Sequence, residues 1–202
     1  MQYSIIGSGA IGHAIATQFA RSGLDLLVAN SRGPQALANL ARELGPQIKP
    51  VSVSTALEAE ACILAVPFSV VPRLVKAVAN WNGRLVVDAT NAIRFPDFVP
   101  MDLGGRPSTA VLSDSLPGAR VVKAFNTLPA AVLEEGPAEG GGRRVLFVSG
   151  NDAEANESVR GLAEKLGFAP IILGPLAQGG LLQQFGGPLV AINLVKHIGP
   201  TR

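Results

Sequence analysis

The chain has 202 residues, 48% of them apolar, and a formal net charge of +2. That length suits one full-sized domain, or one domain with an appendage, and the apolar fraction is enough for a sizeable core. The weak charge argues against a nucleic-acid surface, the pair Arg143-Arg144 being too short to make one, and no stretch reaches the ~18 uncharged apolar residues of a membrane helix.

Met1 leads directly into a first strand over 2–6, so no signal peptide is expected and a cytoplasmic protein is the default. The strand runs into Gly7-Ser8-Gly9-Ala10-Ile11-Gly12 and a helix over 10–22. A G-x-G-x-x-G between a strand and a helix is the context in which the motif signals a dinucleotide. Gly7 permits the tight turn, Gly9 lets the backbone approach a pyrophosphate, and Gly12 lets the helix pack on the strand. The free N–H groups at the helix start then face the phosphates. His13, one residue on, either reaches a phosphate or the nicotinamide, or lies on the helix surface.

The second strand, 26–30, ends at Asn30-Ser31-Arg32. An NAD site carries an Asp or Glu here for the ribose 2′-OH. Asn30 repels no phosphate, Ser31 can donate a hydrogen bond, and Arg32 can pair with a 2′-phosphate and stack on adenine, so the reading is NADP(H). Asp25 lies at the wrong end of the strand for the ribose.

Helices over 34–44, 54–58 and 69–80 alternate with strands over 48–52, 61–66 and 84–88. The only cysteine, Cys62, sits inside Ala61-Cys62-Ile63-Leu64-Ala65 and reads as a buried, inert thiol. Residues 90–107, with three prolines and Gly104-Gly105, read as a long loop beyond the sheet's carboxyl edge, where function is often placed. A helix over 108–116 and a strand over 120–124 follow. Gly136 to Gly142 reads as a flexible link, then come a strand over 144–149, a helix over 152–166 with Asn151-Asp152 as its cap, and a strand over 169–173. The last expected element is a helix over 178–197, apolar on most faces and kinked or broken at Gly186-Gly187-Pro188. Its apolar surface suits a subunit interface or pocket wall, or simple packing on the sheet.

The alternation predicts an α/β fold: a Rossmann-type, doubly wound, mostly parallel sheet with a short C-terminal appendage of strand and helix. The first six strands make the two mononucleotide-binding halves. The expected division is a dinucleotide-binding domain over 1–135 and a C-terminal extension over 136–202, the latter contributing to a substrate pocket and a homodimer interface.

With these residues in hand, the chain resembles the small reductases typified by 8-hydroxy-5-deazaflavin:NADPH oxidoreductase, a family that includes the cytoplasmic domains of the STEAP metalloreductases. The likeness covers nearly the whole chain. It rests on the glycine motif, Asn30-Ser31-Arg32, Ala65-Val66-Pro67-Phe68, Val86-Val87-Asp88-Ala89-Thr90-Asn91, Val121-Val122-Lys123-Ala124-Phe125-Asn126-Thr127-Leu128-Pro129, and Gly174-Pro175-Leu176 before the apolar segment. The resemblance implies that Ser8, Gly9, Ala10 and Ile11 line the pyrophosphate and ribose, and that Ser31 and Arg32 hold the 2′-phosphate. It further implies that Val66, Pro67 and Asn91 line the nicotinamide and its ribose. Ala124, Asn126, Thr127 and Ala130 would close the far side, where a small-molecule hydride acceptor, a deazaflavin or flavin, stacks.

The implied chemistry is direct hydride transfer between two rings, for which the protein supplies alignment and water exclusion. It requires no catalytic acid or base. The candidates for such a role are His13, Asp88 and Lys123, and Asp88 and Lys123, ending adjacent core strands, read first as structural. Related deazaflavin reductases usually carry a longer tail than one ending at Arg202, and the long dimerisation helices of pyrroline-5-carboxylate reductase are missing. Reduction of a small carbonyl or imine would need a proton donor, and there is no Tyr-x-x-x-Lys pair. An NADPH-binding sensor without turnover is the alternative from another class.

Overall fold

A computed structural model of the chain describes residues 1–197. In chain order the central strands are β1 (Tyr3–Ile6), β2 (Leu26–Ala29), β3 (Ile48–Pro50), β4 (Ala61–Leu64) and β5 (Leu85–Asp88). A short hairpin of β6 (Ile93–Arg94) and β7 (Val99–Pro100) precedes β8 (Arg120–Lys123), and β9 (Ala138–Glu139), β10 (Gly142–Gly150), β11 (Ala169–Ile172) and β12 (Val195–His197) complete the set. The main sheet runs β3-β2-β1-β4-β5-β8-β10-β11. From β3 to β8 all neighbours are parallel, in the order of a doubly wound nucleotide-binding sheet. β10 reverses direction against β8, with Ser149 opposite Lys123, and β11 runs parallel to β10.

The apolar runs explain this layering. Every residue of β4 and β5 is buried, as expected of parallel strands covered on both faces. Alternate side chains point to opposite faces. Ile5, Ile63 and Val87 enter one core with Ile15 and Phe19 of α1 (Ala10–Arg21), Leu133 of α6 (Ala130–Glu135) and Val159 and Leu162 of α7 (Ala153–Lys165). Ile6, Leu64 and Val86 enter the other, with Leu57 of α3 (Val53–Leu57), Val71 and Val75 of α4 (Val71–Val75), Trp81, and Leu112 of α5 (Ser108–Ser113). Of the remaining helices, α2 spans Ala38–Leu44 after a 3-10 turn at Pro34–Leu37. The Asp152 carboxylate caps α7 by accepting from Ala155 N at 2.7 Å.

Three expectations need correction, and one helix was missed. The helix over 69–80 contracts to a 3-10 turn at Phe68–Val70 followed by α4. Asn80 accepts from Asn82 N, Asn82 turns at φ +49°, and the chain folds inward to bury Trp81. The link from Gly136 to Gly142 is a tight hairpin, with Gly140 and Gly141 both at positive φ and Ala138 opposite Arg143. The helix α6 was not anticipated; Gly136, at φ +116°, stops it after six residues. The long helix over 178–197 does not exist. A π-helical turn at Leu176–Gly180 runs into one short helix, α8 (Leu181–Gln183), and the chain then becomes irregular until β12 adds to β10. Gly186 adopts φ +86° and Pro188 follows it, so the helix ends before its apolar residues are used up.

Candidate cofactor and active site

The glycine loop connects β1 to α1 at the carboxyl edge of the sheet. Gly7 sits at φ +117°, and a Cβ there would lie 2.1 Å from the Ala65 carbonyl oxygen. A Cβ on Gly12 would lie 2.0 Å from the Gly7 carbonyl oxygen. Both glycines are therefore demanded by packing within the protein. A Cβ on Gly9 would meet nothing within 4 Å, so this glycine borders open space. Gly9 is also the N-cap of α1, and no side chain caps the helix there. Backbone N–H groups at its start are left to face an anion.

A cleft of about 440 Å³ opens beside this loop, within the size range of small-molecule sites. Its polar side is Ser8, Gly9, Asn30, Ser31 and Arg32; its apolar side includes Val53, Val66, Pro67, Val70 and Leu74. Asn30 is almost wholly buried and organises the polar side. Its Nδ2 donates to Ser8 Oγ at 3.0 Å, and its Oδ1 accepts from Arg32 N at 2.9 Å. The residue at the acid position thus ties the glycine loop to the turn that carries Arg32, leaving the Ser31 and Arg32 side chains exposed at the rim. Gly9 could receive a dinucleotide's pyrophosphate, the apolar wall a flat base, and Ser31 and Arg32 a 2′-phosphate. Asp25 is at the opposite edge of the sheet, paired with Lys49 at 2.9 Å. Val53, Val70 and Leu74 were not singled out from sequence; Val53 and Val70 follow the carboxyl ends of β3 and β4, which was the available signal.

Beyond β5 and β8 lies a second group of residues, separate from those lining the cleft. Asp88 and Lys123 are fully buried, and Lys123 Nζ is 3.2 Å from Asp88 Oδ2. Asp88 also accepts from Thr90 N, Thr90 Oγ1 and Thr109 Oγ1, and Lys123 also donates to the Thr90 carbonyl at 3.1 Å. The pair anchors the start of the loop that carries Asn91. Asn91 Nδ2 donates to the Asn126 carbonyl at 2.9 Å, and Asn126 Nδ2 donates back to Asn91 Oδ1 at 3.0 Å. Phe125, between Ala124 and Asn126, is buried at φ +63°, a left-handed conformation rare for an aromatic residue and common at functional turns. Ala124 and Thr127 are buried beside it, Thr127 O accepting from Ala191 N, while Ala130 opens α6.

Ala10 and Ile11 form the first turn of α1. His13 is turned toward two acids, its Nδ1 3.4 Å from Glu134 and its Nε2 3.8 Å from Glu43, and does not line the cleft. Cys62 is buried, and burial pushes its thiol up to about 11, so it carries no nucleophile at neutral pH. Among the described residues no cluster of His, Cys, Asp or Glu could hold a metal ion. None of their helices is long and apolar enough to cross a membrane.

Comparison with known proteins agrees with this fold. The family described as "NADP oxidoreductase coenzyme F420-dependent" matches residues 2–92, the segment holding the glycine loop, Arg32, Pro67 and Asn91. The hypothetical protein SMa0349 from Sinorhizobium meliloti is 52% identical, with a TM-score of 0.94, over 97% of this chain and 96% of that one. A "putative f420 dependent nadp-reductase" from Arthrobacter sp. FB24 is 28% identical, with a TM-score of 0.71, over 87% of this chain and 86% of its own. The rat metalloreductase STEAP3 is 31% identical over 86% of this chain, which spans only 34% of that relative's length. The glycine loop, the fold and these matches converge: residues 2–92 match the F420-dependent family of NADP oxidoreductases, and the chain as a whole shares its fold with SMa0349 and with the Arthrobacter protein.

Proposed function

We propose that the chain binds NADP(H) along the carboxyl edge of its sheet and transfers a hydride directly between the nicotinamide and a flavin-like or deazaflavin ring. The observation that carries the reading is the open approach to Gly9, at the uncapped start of α1, beside Ser31 and Arg32. Gly9, Ala10 and Ile11 would hold the pyrophosphate, Ser31 and Arg32 the 2′-phosphate, and Val66, Pro67 and Asn91 the nicotinamide half. When bound, the nicotinamide supplies or accepts the hydride. The residues at the far end of the site position and exclude water. Asp88 and Lys123 are sealed from solvent and committed to each other and to neighbouring threonine groups, which supports a transfer that draws on no side-chain acid.

Anaerobic stopped-flow oxidation of NADPH tests this, with a deazaflavin coenzyme and then FMN or FAD as acceptor. Rapid turnover with one of them supports the reading and identifies the acceptor class. Tight NADPH binding with no turnover by either would overturn it in favour of a sensor or a different acceptor. The reading extends to a cytoplasmic homodimer. Leu181, Leu182, Ile192 and Leu194 leave apolar surface exposed on the C-terminal segment, and a monomer in sedimentation velocity would remove that part.

A further inference from the structure

Asn126 has no hydrogen left to offer a ligand. Its two amide hydrogens go to Asn91 Oδ1 and to the Gln183 carbonyl at 2.6 Å, and its Oδ1 accepts from Gln183 Nε2 at 3.2 Å. Asn91 differs: one of its two amide hydrogens is used on the Asn126 carbonyl, and it is only half-buried. Of the two, Asn91 is therefore the group equipped to touch a nicotinamide, and Asn126 the group that holds it.

The next partner along is Gln183, which is fully buried. Its Nε2 also donates to the Lys123 carbonyl at 2.9 Å, and its Oε1 accepts from Ser149 Oγ at 2.6 Å. The C-terminal segment thus inserts one carboxamide between the ends of β8 and β10. We infer that Gln183 is a positioning residue for hydride transfer, fixing Asn91 through Asn126 so that the nicotinamide is held in one orientation. The inference rests on the proposed NADP(H) reading. The segment carrying Gln183 makes no part of the cleft at Gly9 and Arg32, so its influence is confined to the nicotinamide half.

The test replaces Gln183 by Met, similar in length and without hydrogen-bonding atoms. Two ligands are titrated into wild type and variant: 2′,5′-ADP, which reaches only the adenosine half, and NADPH, followed by its emission. Gln183→Met should leave the affinity for 2′,5′-ADP within about twofold, while the emission of bound NADPH shifts toward that of free NADPH. Single-turnover hydride transfer to whichever acceptor serves the wild type should fall on the order of tenfold or more, as small misplacements of reacting groups do. Ser149→Ala, which removes one partner and keeps the carboxamide, should give a smaller loss of the same kind and serves if Gln183→Met does not fold. Normal NADPH emission and a normal transfer rate in folded Gln183→Met would overturn the inference, as would equal losses for 2′,5′-ADP and NADPH. Wild-type protein that binds 2′,5′-ADP without ordering the nicotinamide of NADPH would instead defeat the underlying reading.

Discussion

Adding one methyl group at Gly9 or at Gly12 separates the two functions of the glycine loop. At Gly12 the new Cβ would stand 2.0 Å from the Gly7 carbonyl oxygen, more than an ångström inside contact distance, and the obstacle is backbone. Overpacking of this kind costs about 1–3 kcal/mol. Alanine recovers up to about 1 kcal/mol as the better helix former, since Gly12 lies inside α1. From the middle of that overpacking range a net loss of about 1–2 kcal/mol remains, which lowers Tm by roughly 2–8 °C in a protein of this size. At Gly9 the backbone, at φ −76° and ψ −173°, suits any residue, and the methyl meets nothing. The reduced freedom of the unfolded chain, worth about 0.4–1 kcal/mol, is offset by alanine's poorer performance as an N-cap. Stability should therefore stay within about 0.5 kcal/mol of wild type. Binding should not. A methyl where a pyrophosphate must approach breaks at least one charged hydrogen bond, about 1.5–3 kcal/mol, or roughly 10- to 100-fold in Kd for NADPH. Thermal denaturation and calorimetric titration with NADPH measure both quantities. Unchanged NADPH affinity in Gly9→Ala, or a Tm loss as large as that of Gly12→Ala, would refute the assignment of the open side of the loop to the ligand.

The remaining expectations concern single side chains. Arg32→Ala should weaken NADPH binding by about 1–3 kcal/mol and leave NADH nearly unchanged, since only the 2′-phosphate distinguishes them; equal losses would sink the cofactor assignment. Lys123→Met leaves the sealed Asp88 carboxylate without its cation and should cost about 3–5 kcal/mol in urea denaturation. A cost below about 1 kcal/mol would show that the hydrogen bonds from Thr90 and Thr109 suffice. Cys62, with its thiol pushed up to about 11 by burial, should resist iodoacetamide at pH 8 in the native protein and react fully once unfolded; rapid native labelling would contradict its burial.

The parallel half of the sheet was readable because its central strands are short apolar runs, β4 and β5 buried throughout, and each glycine of the loop has one mechanical task. Local composition carries that information. The C-terminal segment was not readable in the same way. Its apolar residues from Gly179 to Val195 satisfy a helical pattern, and whether the pattern becomes a helix depends on two features of low weight in a window, Gly186 at positive φ and Pro188. β12 forms because β10 presents an edge to be paired, a demand made by residues some fifty positions away, which no local pattern records. Gln183 was hidden for a related reason. A glutamine in an apolar segment reads as a solvent-facing break, whereas here the carbonyl of Lys123 and the hydroxyl of Ser149 wait for it inside the protein. The isolated pair Gln183-Gln184 within that segment was the only hint.

The strained turn at Phe125 ties these observations together. A left-handed φ for such a residue costs on the order of 1–3 kcal/mol, and glycine would remove the strain. Glycine would also empty the space that the buried ring fills, and losing a buried phenylalanine costs about 3–5 kcal/mol, so the aromatic residue wins despite its backbone. The turn has a geometric result: it presents Asn126 carbonyl and carboxamide together to Asn91, while the same carboxamide reaches back to Gln183. On the other side of Asn91, the Asp88–Lys123 pair grips Thr90. One half-buried asparagine is thus held from both directions, by a charged pair and by a chain of carboxamides. Hydride transfer between two rings depends on their distance and orientation more than on proton donors. A site that concentrates its buried polar groups on fixing one contact, and leaves its charges sealed, suits the hydride transfer proposed for it.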